Sequence, residues 1–573
     1  MTNTEISNIF KSIVKILKIQ DENRFKIRAY ERIVDTIENL PEEIEVIYKE
    51  GRLKEVPGIG DAIAKKIVEL IETGNLEYFE NLKNVVPVEL LELLDVPEIG
   101  PRKAKLFYEK MGINNIHKLE QAALEHKLQN LPGMGEKTEE NILKGIQLYK
   151  KRKRRVLLNT AMLMADKIIK QLTNFGHIEK ISIAGSLRRQ KESIGDIDIL
   201  VASEEPEKII GFFTNLPDVK EVLAEGKTKS AILTKEDLHV DLRVVSLESF
   251  GAALQYFTGS KEHNVRLREM AVRKGFKINE YGLFQISDDK KIAGREESDI
   301  YHKLGLAYIM PELREDRGEL EAGLNNNLPD LINASDIKGD LHIHSMDSDG
   351  VNTIEEIVNA AKEMGYQYIA ITDHTQSLQI AGGLKEERLE EQIYKIDKIN
   401  HEQNDVFVLK GAEVDIKNDG SLDLPDEVLK KLDLVIAAIH TGLKQEKEQI
   451  MKRLSAAMQN PYVNILAHPT GRIIGFREPY ELDLQKLIQL AADTNTVLEI
   501  NSSPERMDLN DINVKNAKKL NIKFAINTDA HQIKNLKNIT NGISVARRGW
   551  LEKKDIINTL PLQYLLTILN KKK

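Results

Sequence analysis

The run IAGSLRRQKESIGDIDILV at 183–201 puts two aspartates, Asp196 and Asp198, one isoleucine apart in an otherwise apolar stretch. A strand alternates its side chains, so both carboxylates share one face while Ile197 and Ile199 take the other. A second strand-like stretch, LHVDLRVV at 238–245, supplies Asp241. Three carboxylates brought together repel one another unless divalent cations neutralise them. Mg²⁺ prefers oxygen ligands and keeps substrate phosphates in its shell, and a pair of such ions suits phosphoryl transfer. Just upstream, GSLRR offers a turn at Gly185, the Ser186 hydroxyl and the Arg189 guanidinium, all suited to triphosphate oxygens. A lone D-x-D reads as an exposed edge strand with solvated aspartates. The upstream G-S-x-R-R and the third aspartate favour a metal-dependent phosphoryl-transfer site instead.

A second constellation lies in the other half. Of thirteen histidines, seven follow residue 338, and six of those end or closely follow apolar runs: His342, His344, His374, His440, His468 and His531. Only His401 sits in a polar helical stretch. Asp349, Glu413 and Asp529 occupy equivalent positions. Imidazole with carboxylate, without thiolate, suits Zn²⁺ or Mn²⁺. One such histidine would read as structural; nine ligand-type residues at strand ends read as a metal centre.

The elements that must position these groups follow from period and punctuation. From about 339, apolar runs (YIAITDH, VFVLKGAEVD, LDLVIAAIH, VNILAHP, TVLEINSS, FAINTDAH) alternate with helical stretches. That alternation predicts a parallel β/α barrel or sheet, whose strand C-termini converge on one face. Residues 156–317 mix short strands and helices. The polar, Asn-rich stretch 318–338 contains a proline and reads as a domain linker. Residues 1–150 read as short amphipathic helices separated by three similar turns: VPGIG at 56–60, VPEIG at 96–100 and LPGMG at 131–135. Each leads into a helix-like segment with early cations: Lys65 and Lys66, then Arg102, Lys103 and Lys105, then Lys137. Such a turn exposes the next helix's N-terminal N–H groups as an anion site. Backbone phosphates are therefore expected at Gly58, Gly60, Gly100, Gly133 and Gly135, with Lys66 beside them. Glu98 replaces the first glycine of the second turn. The six cations Lys150 to Arg155 read either as a solvated helix or as a phosphate-contacting stretch, and Lys571–Lys573 as a frayed terminus.

A length of 573 residues implies several domains, and 41% apolar residues suffices for ordinary cores. The absence of cysteine excludes disulfides and thiolate sites and fits a reducing compartment. No apolar run has membrane-spanning length, and the start MTNTEISNIFKSIVKILKIQ lacks the layout of a secretion signal. A soluble cytoplasmic monomer without a membrane partner is expected. A net charge of −8 gives no global sign of nucleic-acid binding, so local charge must carry it.

AGSLRRQKESIGDIDILV with Asp241 resembles the nucleotidyltransferase palm of the family X DNA polymerases, and YFTGSKEHN at 256–264 followed by AVRKGFKINEYGLF is the more specific match. The glycine turns resemble helix-hairpin-helix modules, which grip a DNA backbone without reading its sequence. DLHIHSMDSDG, TDH, AEVD, IH, AHP and TDAH resemble the metal motifs of the polymerase and histidinol phosphatase (PHP) domain, a distorted seven-stranded β/α barrel.

The resemblance implies roles. Asp196, Asp198 and Asp241 would be metal ligands, with Asp241 also the candidate base near a primer 3′-OH. Gly185, Ser186, Arg189 and Gly195 would line the triphosphate. Tyr256, as steric gate, and Phe257 would exclude a ribose 2′-OH, Gly259 would line the nucleotide pocket, Asn264 would touch the incoming nucleotide's minor groove, and Arg268 the template strand. Lys261 stands where relatives often have an aspartate. Lys66 falls at the Schiff-base lysine of relatives that remove 5′-deoxyribose phosphate, but Ala62 replaces a neighbouring lysine, so Lys66 reads as a phosphate-contacting cation. In the barrel, one metal would use His342, His344, Glu413 and Asp529; a second would share Glu413 and use His440 and His468; a third would use Asp349, His374 and His531.

The expected architecture is multidomain, α+β and α/β: a helical DNA-binding domain at 1–90, a fingers-like helical region at 91–155, a palm at 156–248, a thumb at 249–317, the linker at 318–338 and a PHP barrel at 339–573. The expected function is template-directed gap filling in DNA repair, using dNTPs on gapped or primer-template DNA with two Mg²⁺ or Mn²⁺ ions. A 3′→5′ exonuclease, with possible AP endonuclease action, would use up to three Mn²⁺ or Zn²⁺ ions in the barrel. Location at the nucleoid follows. The alternatives are a barrel acting as a small-molecule phosphoesterase, histidinol phosphate above all, and a DNA-binding scaffold with relic sites.

Overall fold

The computed structural model describes residues 1, 3–38, 44–56, 58–153 and 155–570. Of the features above, Pro57, Arg154 and Lys571–Lys573 lie outside the described residues, as do the side chains of Lys151, Arg152 and Lys153. The chain forms two compact units, one over residues 1–154 and a second over 155–474 and 478–573.

The first unit is helical: Asn3–Ile19, Arg24–Glu38, Ile44–Lys49, Asp61–Thr73, Glu77–Val85, Pro101–Met111, Ile116–Leu124 and Glu136–Lys153, with short 3₁₀ turns between. Its apolar faces build two cores, one around Phe10, Ile33, Ile67 and Leu70 and the other around Leu90, Phe107, Leu119 and Ile142. The three repeated turns share one left-handed backbone conformation, with φ +83° at Gly58, +71° at Glu98 and +75° at Gly133. Glu98 therefore keeps the hairpin geometry despite its Cβ, at a cost of roughly 1–2 kcal/mol. Gly60 and Gly100 are the N-caps of the helices that follow, both with extended backbone.

The second unit begins with a five-stranded sheet: Lys180–Ile183 (β1), Asp196–Ala202 (β2), Val219–Glu225 (β3), Lys229–Thr234 (β4) and His239–Val245 (β5), in the order β1-β2-β5-β4-β3. Strands β2 and β5 are parallel, and their register sets Asp198 opposite Asp241. Ile197, Ile199 and Val201 bury one face of β2 against the helices Leu158–Phe175 and Pro206–Thr214. Leu200 and Ala202 pack the opposite face with Phe250, Ala253 and Leu254 of the helix Phe250–Thr258. The helix Lys261–Arg273, a three-stranded antiparallel sheet and the helix Glu297–Lys303 follow.

The expected linker is partly packed. Within 318–338, Glu319–Leu324 is helical with Glu319 and Leu320 buried, and Leu331 bridges to Glu552. Glu319 accepts from the Arg317 and Asp316 N–H groups and contacts His263 Nδ1 at 2.7 Å. Glu319 is buried and partnered, while Asn325, Asn326 and Asn327 are exposed.

Seven parallel strands then run in chain order: Gly339–Ile343 (β6), Tyr368–Ile371 (β7), Phe407–Asp415 (β8), Leu434–Ala438 (β9), Ile465–Leu466 (β10), Val497–Asn501 (β11) and Phe524–Asn527 (β12). They read as continuous apolar runs because nearly every residue in them is buried. The bridge between Ile343 and Ala530 brings the last strand back to the first, so the barrel closes at the strand C-termini. Helices such as Ile354–Glu363, Glu386–Glu402 and Lys447–Gln459 lie between successive strands in the chain and Ile539–Arg548 follows the last strand, while Leu565 and Leu569 of the final helix Leu562–Asn570 pack with Leu341, Leu409 and Ile465. Among the described residues, no helix is long and apolar enough to cross a membrane.

Candidate active sites

In the palm, the β2–β5 register answers why an apolar strand carries two aspartates. Asp196 is exposed and Asp198 and Asp241 are half-buried, so all three meet at one open face. Burial, then the charges of Asp196 and Asp241, push the Asp198 carboxyl up from its ordinary 3.8 to about 7, against the pull of Arg243 and Arg189. That is a penalty of roughly 4 kcal/mol on the ionised form. Burying Ile197 and Ile199 on the other face contributes about 3–6 kcal/mol, enough to keep the strand in place. The repulsion is left for a cation to relieve, which fits a divalent-metal site.

The loop after β1 approaches this face closely. Gly185 has φ +59°, and a Cβ there would stand 2.0 Å from Asp198 Oδ2, so only glycine fits. Ser186 lies in the single helical turn Gly185–Arg188. Arg189 is mostly buried; its Nε donates to Glu315 Oε1 at 3.0 Å and its Nη1 to the Thr258 carbonyl. Expected as a free phosphate donor, Arg189 is thus already anchored, against the turn at Gly259 (φ +67°), where a Cβ would stand 3.2 Å from Nη1. Tyr256 and Phe257 meet edge-on at 5.1 Å, and the Arg243 guanidinium sits 4.2 Å from the Phe257 ring centroid. Asn264 donates from Nδ2 to the Tyr256 carbonyl and accepts from Gln255 Nε2, both at 2.7 Å, so it braces the pocket wall as it stands. Gly195 makes room for Arg155, which binds Ser193. Arg268 and Lys261 are exposed on the helix Lys261–Arg273. In the first unit, Lys66 Nζ stacks 4.8 Å from the Tyr78 ring centroid, with Lys26 at 5.8 Å on the same ring.

In the barrel, all nine expected ligands converge. Glu413, on β8, is the hub. Its Oε1 lies 3.3 Å from His440 Nε2 and 3.0 Å from His468 Nε2; its Oε2 lies 2.8 Å from His374 Nδ1, 3.5 Å from His342 Nε2 and 3.7 Å from His344 Nε2. Asp529 Oδ1 stands 3.2 Å from His344 Nε2 and 3.7 Å from His342 Nε2, and Asp349 stands 3.4 Å from His531 Nε2, 3.5 Å from His374 Nε2 and 3.7 Å from His344 Nδ1. His342 Nε2 and both ring nitrogens of His344 are buried without a hydrogen-bond partner. Orphaned imidazole nitrogens facing carboxylates are the donor set of a divalent metal.

The grouping differs from the expected one. Ligand atoms gather as His344, Asp349, His374 and His531; as His342, His344 and Asp529; and as His374, Glu413 and His440. His374 joins the Glu413 group because its residue bridges directly to Glu413 across β7 and β8. His344 bridges two groups.

Electrostatics sort these residues. Burial opposes charge on Glu413, but His440, His374 and His342 outweigh it and hold the carboxyl well below its usual range. Burial together with His531 and His374 pushes His344 down to about 3. Burial also opposes charge on His440 and His531, yet Glu413 and Asp415 lift the first to about 10, and Asp349 and Asp529 lift the second to about 9.

Sequence reasoning missed the residues that aim these ligands. Glu499 is fully buried on β11, contacts His342 Nδ1 at 2.8 Å and accepts from the His468 N–H at 2.7 Å. Asp415 contacts His440 Nδ1 at 2.9 Å, and the Asp529 carbonyl contacts His531 Nδ1 at 2.9 Å. Each contact leaves the other ring nitrogen toward the cluster. The available signal was the acid inside LEIN and at the end of AEVD, the same pattern that exposed Asp198.

Comparison with known proteins adds four family models: Helix-hairpin-helix domain over 1–76, SAM-like helix-hairpin-helix tandem over 90–147, DNA polymerase beta thumb over 253–315 and PHP domain over 340–503. The chain is 38% identical over 565 residues to the DNA polymerase/3′-5′ exonuclease PolX of Bacillus subtilis (strain 168), covering 98% of each chain. It is 31% identical over 231 residues to a probable phosphatase of Thermoanaerobacter sp. (strain X514), covering 38% of this chain and 89% of that one. A crystal structure of Leishmania infantum polymerase beta in a ternary P/T complex aligns with 40% of this chain and 98% of its own at 24% identity and a TM-score of 0.27; no residue correspondence is drawn from it.

Proposed function

The chain belongs to the family X DNA polymerases that carry a PHP domain, and from that premise we propose that it fills short gaps in DNA from the palm and removes 3′-terminal nucleotides from the barrel. The observation that carries this is one chain holding two separate sets of metal-fitting groups: three aspartates in register beside a glycine turn, and nine converged imidazoles and carboxylates. Divalent ions held there, two Mg²⁺ or Mn²⁺ in the palm and up to three Mn²⁺ or Zn²⁺ in the barrel, would neutralise phosphate oxygens and supply an activated water for hydrolysis.

The chain's own residues do the rest. Asp196, Asp198 and Asp241 hold the metal positions, and Asp241 is placed to accept the proton of a primer 3′-OH. Gly185 lets the loop reach the carboxylates, Ser186 would meet the triphosphate, and Arg189, anchored to Glu315 and the Thr258 carbonyl, would lie beside it. Tyr256 crowds a ribose 2′-OH. The glycine turns of the first unit offer N–H groups to backbone phosphates, which carry no base identity. Both sets are complete in one chain, which supports a monomer acting on chromosomal DNA in the cytoplasm.

The barrel's likeness to a probable phosphatase favours a second reading, a phosphoesterase of small metabolites. One experiment separates them. Wild-type protein is given a one-nucleotide-gapped duplex with dNTPs and Mg²⁺ or Mn²⁺, a single-stranded oligonucleotide, an abasic duplex and histidinol phosphate. Extension together with 3′ shortening is expected. Failure to extend overturns the polymerase reading, and hydrolysis of the small ester without shortening of DNA overturns the nuclease reading.

A further inference from the structure

The palm loop that carries Arg189 is gripped from the barrel. Arg548 ends the helix Ile539–Arg548 and is 4% exposed. Its Nη1 donates to the Arg189 carbonyl at 2.7 Å and to Glu315 Oε1 at 3.0 Å, and its Nη2 donates to Asp511 Oδ2 at 2.8 Å. The same Glu315 oxygen receives Arg189 Nε at 3.0 Å. A single barrel guanidinium thus fixes Arg189 twice, by its backbone directly and by its side chain through Glu315.

Three residues further on, Glu192 receives Arg472 of the barrel at 2.6 and 3.2 Å, and Arg472 also donates to the Met507 carbonyl. The loop 189–192 is therefore pinned at both ends, with Gln190 between them at φ +53°. Palm and barrel residues also share one continuous apolar cluster, from Leu158 to Ile556. Beyond the loop, Arg189 binds the Thr258 carbonyl next to Gly259, and its charge reaches Asp198.

We propose that Arg548 is a positioning residue for nucleotide addition: through Glu315, the barrel sets the pose of Arg189 beside the palm aspartates. Two guanidiniums share one carboxylate here. Removing Arg548 leaves Glu315 to Arg189 and to Lys191, whose Nζ is 3.8 Å from Oε2, and takes away the donor to the Arg189 carbonyl, so Arg189 leaves the pose that meets a triphosphate. The barrel would then serve the palm independently of its own chemistry. The inference rests on the polymerase reading of the palm.

The test uses the full chain and single-nucleotide gap filling. Arg548→Ala and Glu315→Gln should each raise the dNTP KM about tenfold with kcat held within about twofold, the signature of lost ground-state positioning. Arg548→Lys should fall between Arg548→Ala and wild type, and the double variant should cost no more than the worse single one, because both act on one contact. Nuclease turnover on the same preparations should match wild type, since Arg548 lies outside the nine-ligand cluster. If Arg548→Ala loses both activities by unfolding, Glu315→Gln decides alone, because it leaves the Arg548–Asp511 pair intact. A wild-type enzyme that fills gaps while both variants keep its KM overturns the inference. A wild-type enzyme that fills no gaps refutes the polymerase reading instead.

Discussion

The palm and the barrel both gather carboxylates for metal, but they finish the task differently. In the palm, three aspartates stand at an open face, and Lys229 Nζ and His239 Nδ1 lie 3.8 and 3.6 Å from Asp241. In the barrel, the ligands are mostly buried and several are aimed by a neighbour, as Glu499 aims His342. On the proposed reading, the palm's charge would be balanced by ions that arrive with a triphosphate. The barrel balances its own, setting imidazoles against Glu413 and Asp529. One site is completed by its substrate and the other by its protein.

That contrast breaks cleanly if the sites are independent. Asp198→Ala should lower nucleotide addition by at least about a thousandfold, since it removes a group that positions the reacting phosphate, while leaving nuclease activity near wild type. His342→Ala with His344→Ala should do the reverse, abolishing 3′ shortening of single strands and mismatched ends while gap filling continues. Gel assays of both reactions on each variant decide the matter. If either variant loses both activities, the sites share machinery and the comparison fails.

A middle-sized effect sharpens it. Glu499→Gln keeps the shape of the side chain but gives up the charge that orients His342. A protein-completed site should suffer, with nuclease activity or metal affinity falling roughly 10–100-fold. Glu499 bonds His342, His468, Asn501 and Asn527, all in the barrel, so gap filling should be unaffected. Wild-type nuclease activity in Glu499→Gln would show that His342 is held by packing alone.

The two sites were legible in the sequence because their chemistry is written at short range. Asp196 and Asp198 sit two apart, as a strand requires, and the histidines fall at the ends of apolar runs, where strand C-termini meet. The repeated glycine turns were legible for the same reason, and Glu98 shows that the geometry survives where the residue does not. What could not be read depends on contacts far apart in the chain. Arg548 reaches Arg189 across 359 positions, and Glu499 reaches His342 across 157. The packing within the linker 318–338 was not legible because its partners, His263 and the chain near Glu552, lie elsewhere in the sequence. The proximity of His374 to Glu413 was not legible either, because it follows from the β7–β8 register.

The smallest expected effect is in pH, and it separates the sites by sign and range. A proton on a ligand competes with the metal for it, so affinity rises with pH until the ligand is ionised and is then flat. In the palm the controlling group is Asp198, at about 7. Its Mn²⁺ half-saturation should worsen about fivefold from pH 7 to pH 6 and level off above roughly pH 8, because one proton is displaced. In the barrel, Glu413 and Asp529 are held well below the usual carboxylate range and are ionised throughout. There the competing protons are on His440, at about 10, and His531, at about 9. Metal loading of the barrel should therefore keep tightening through pH 9 and release more than one proton. Mn²⁺ titrations at pH 6, 7, 8 and 9 report each site separately: Asp198→Ala leaves the barrel as the intact site, and the His342→Ala, His344→Ala variant leaves the palm. Superimposable pH curves would show that both carboxylate sets are neutralised in the same way, and the distinction between a substrate-completed and a protein-completed site would fall.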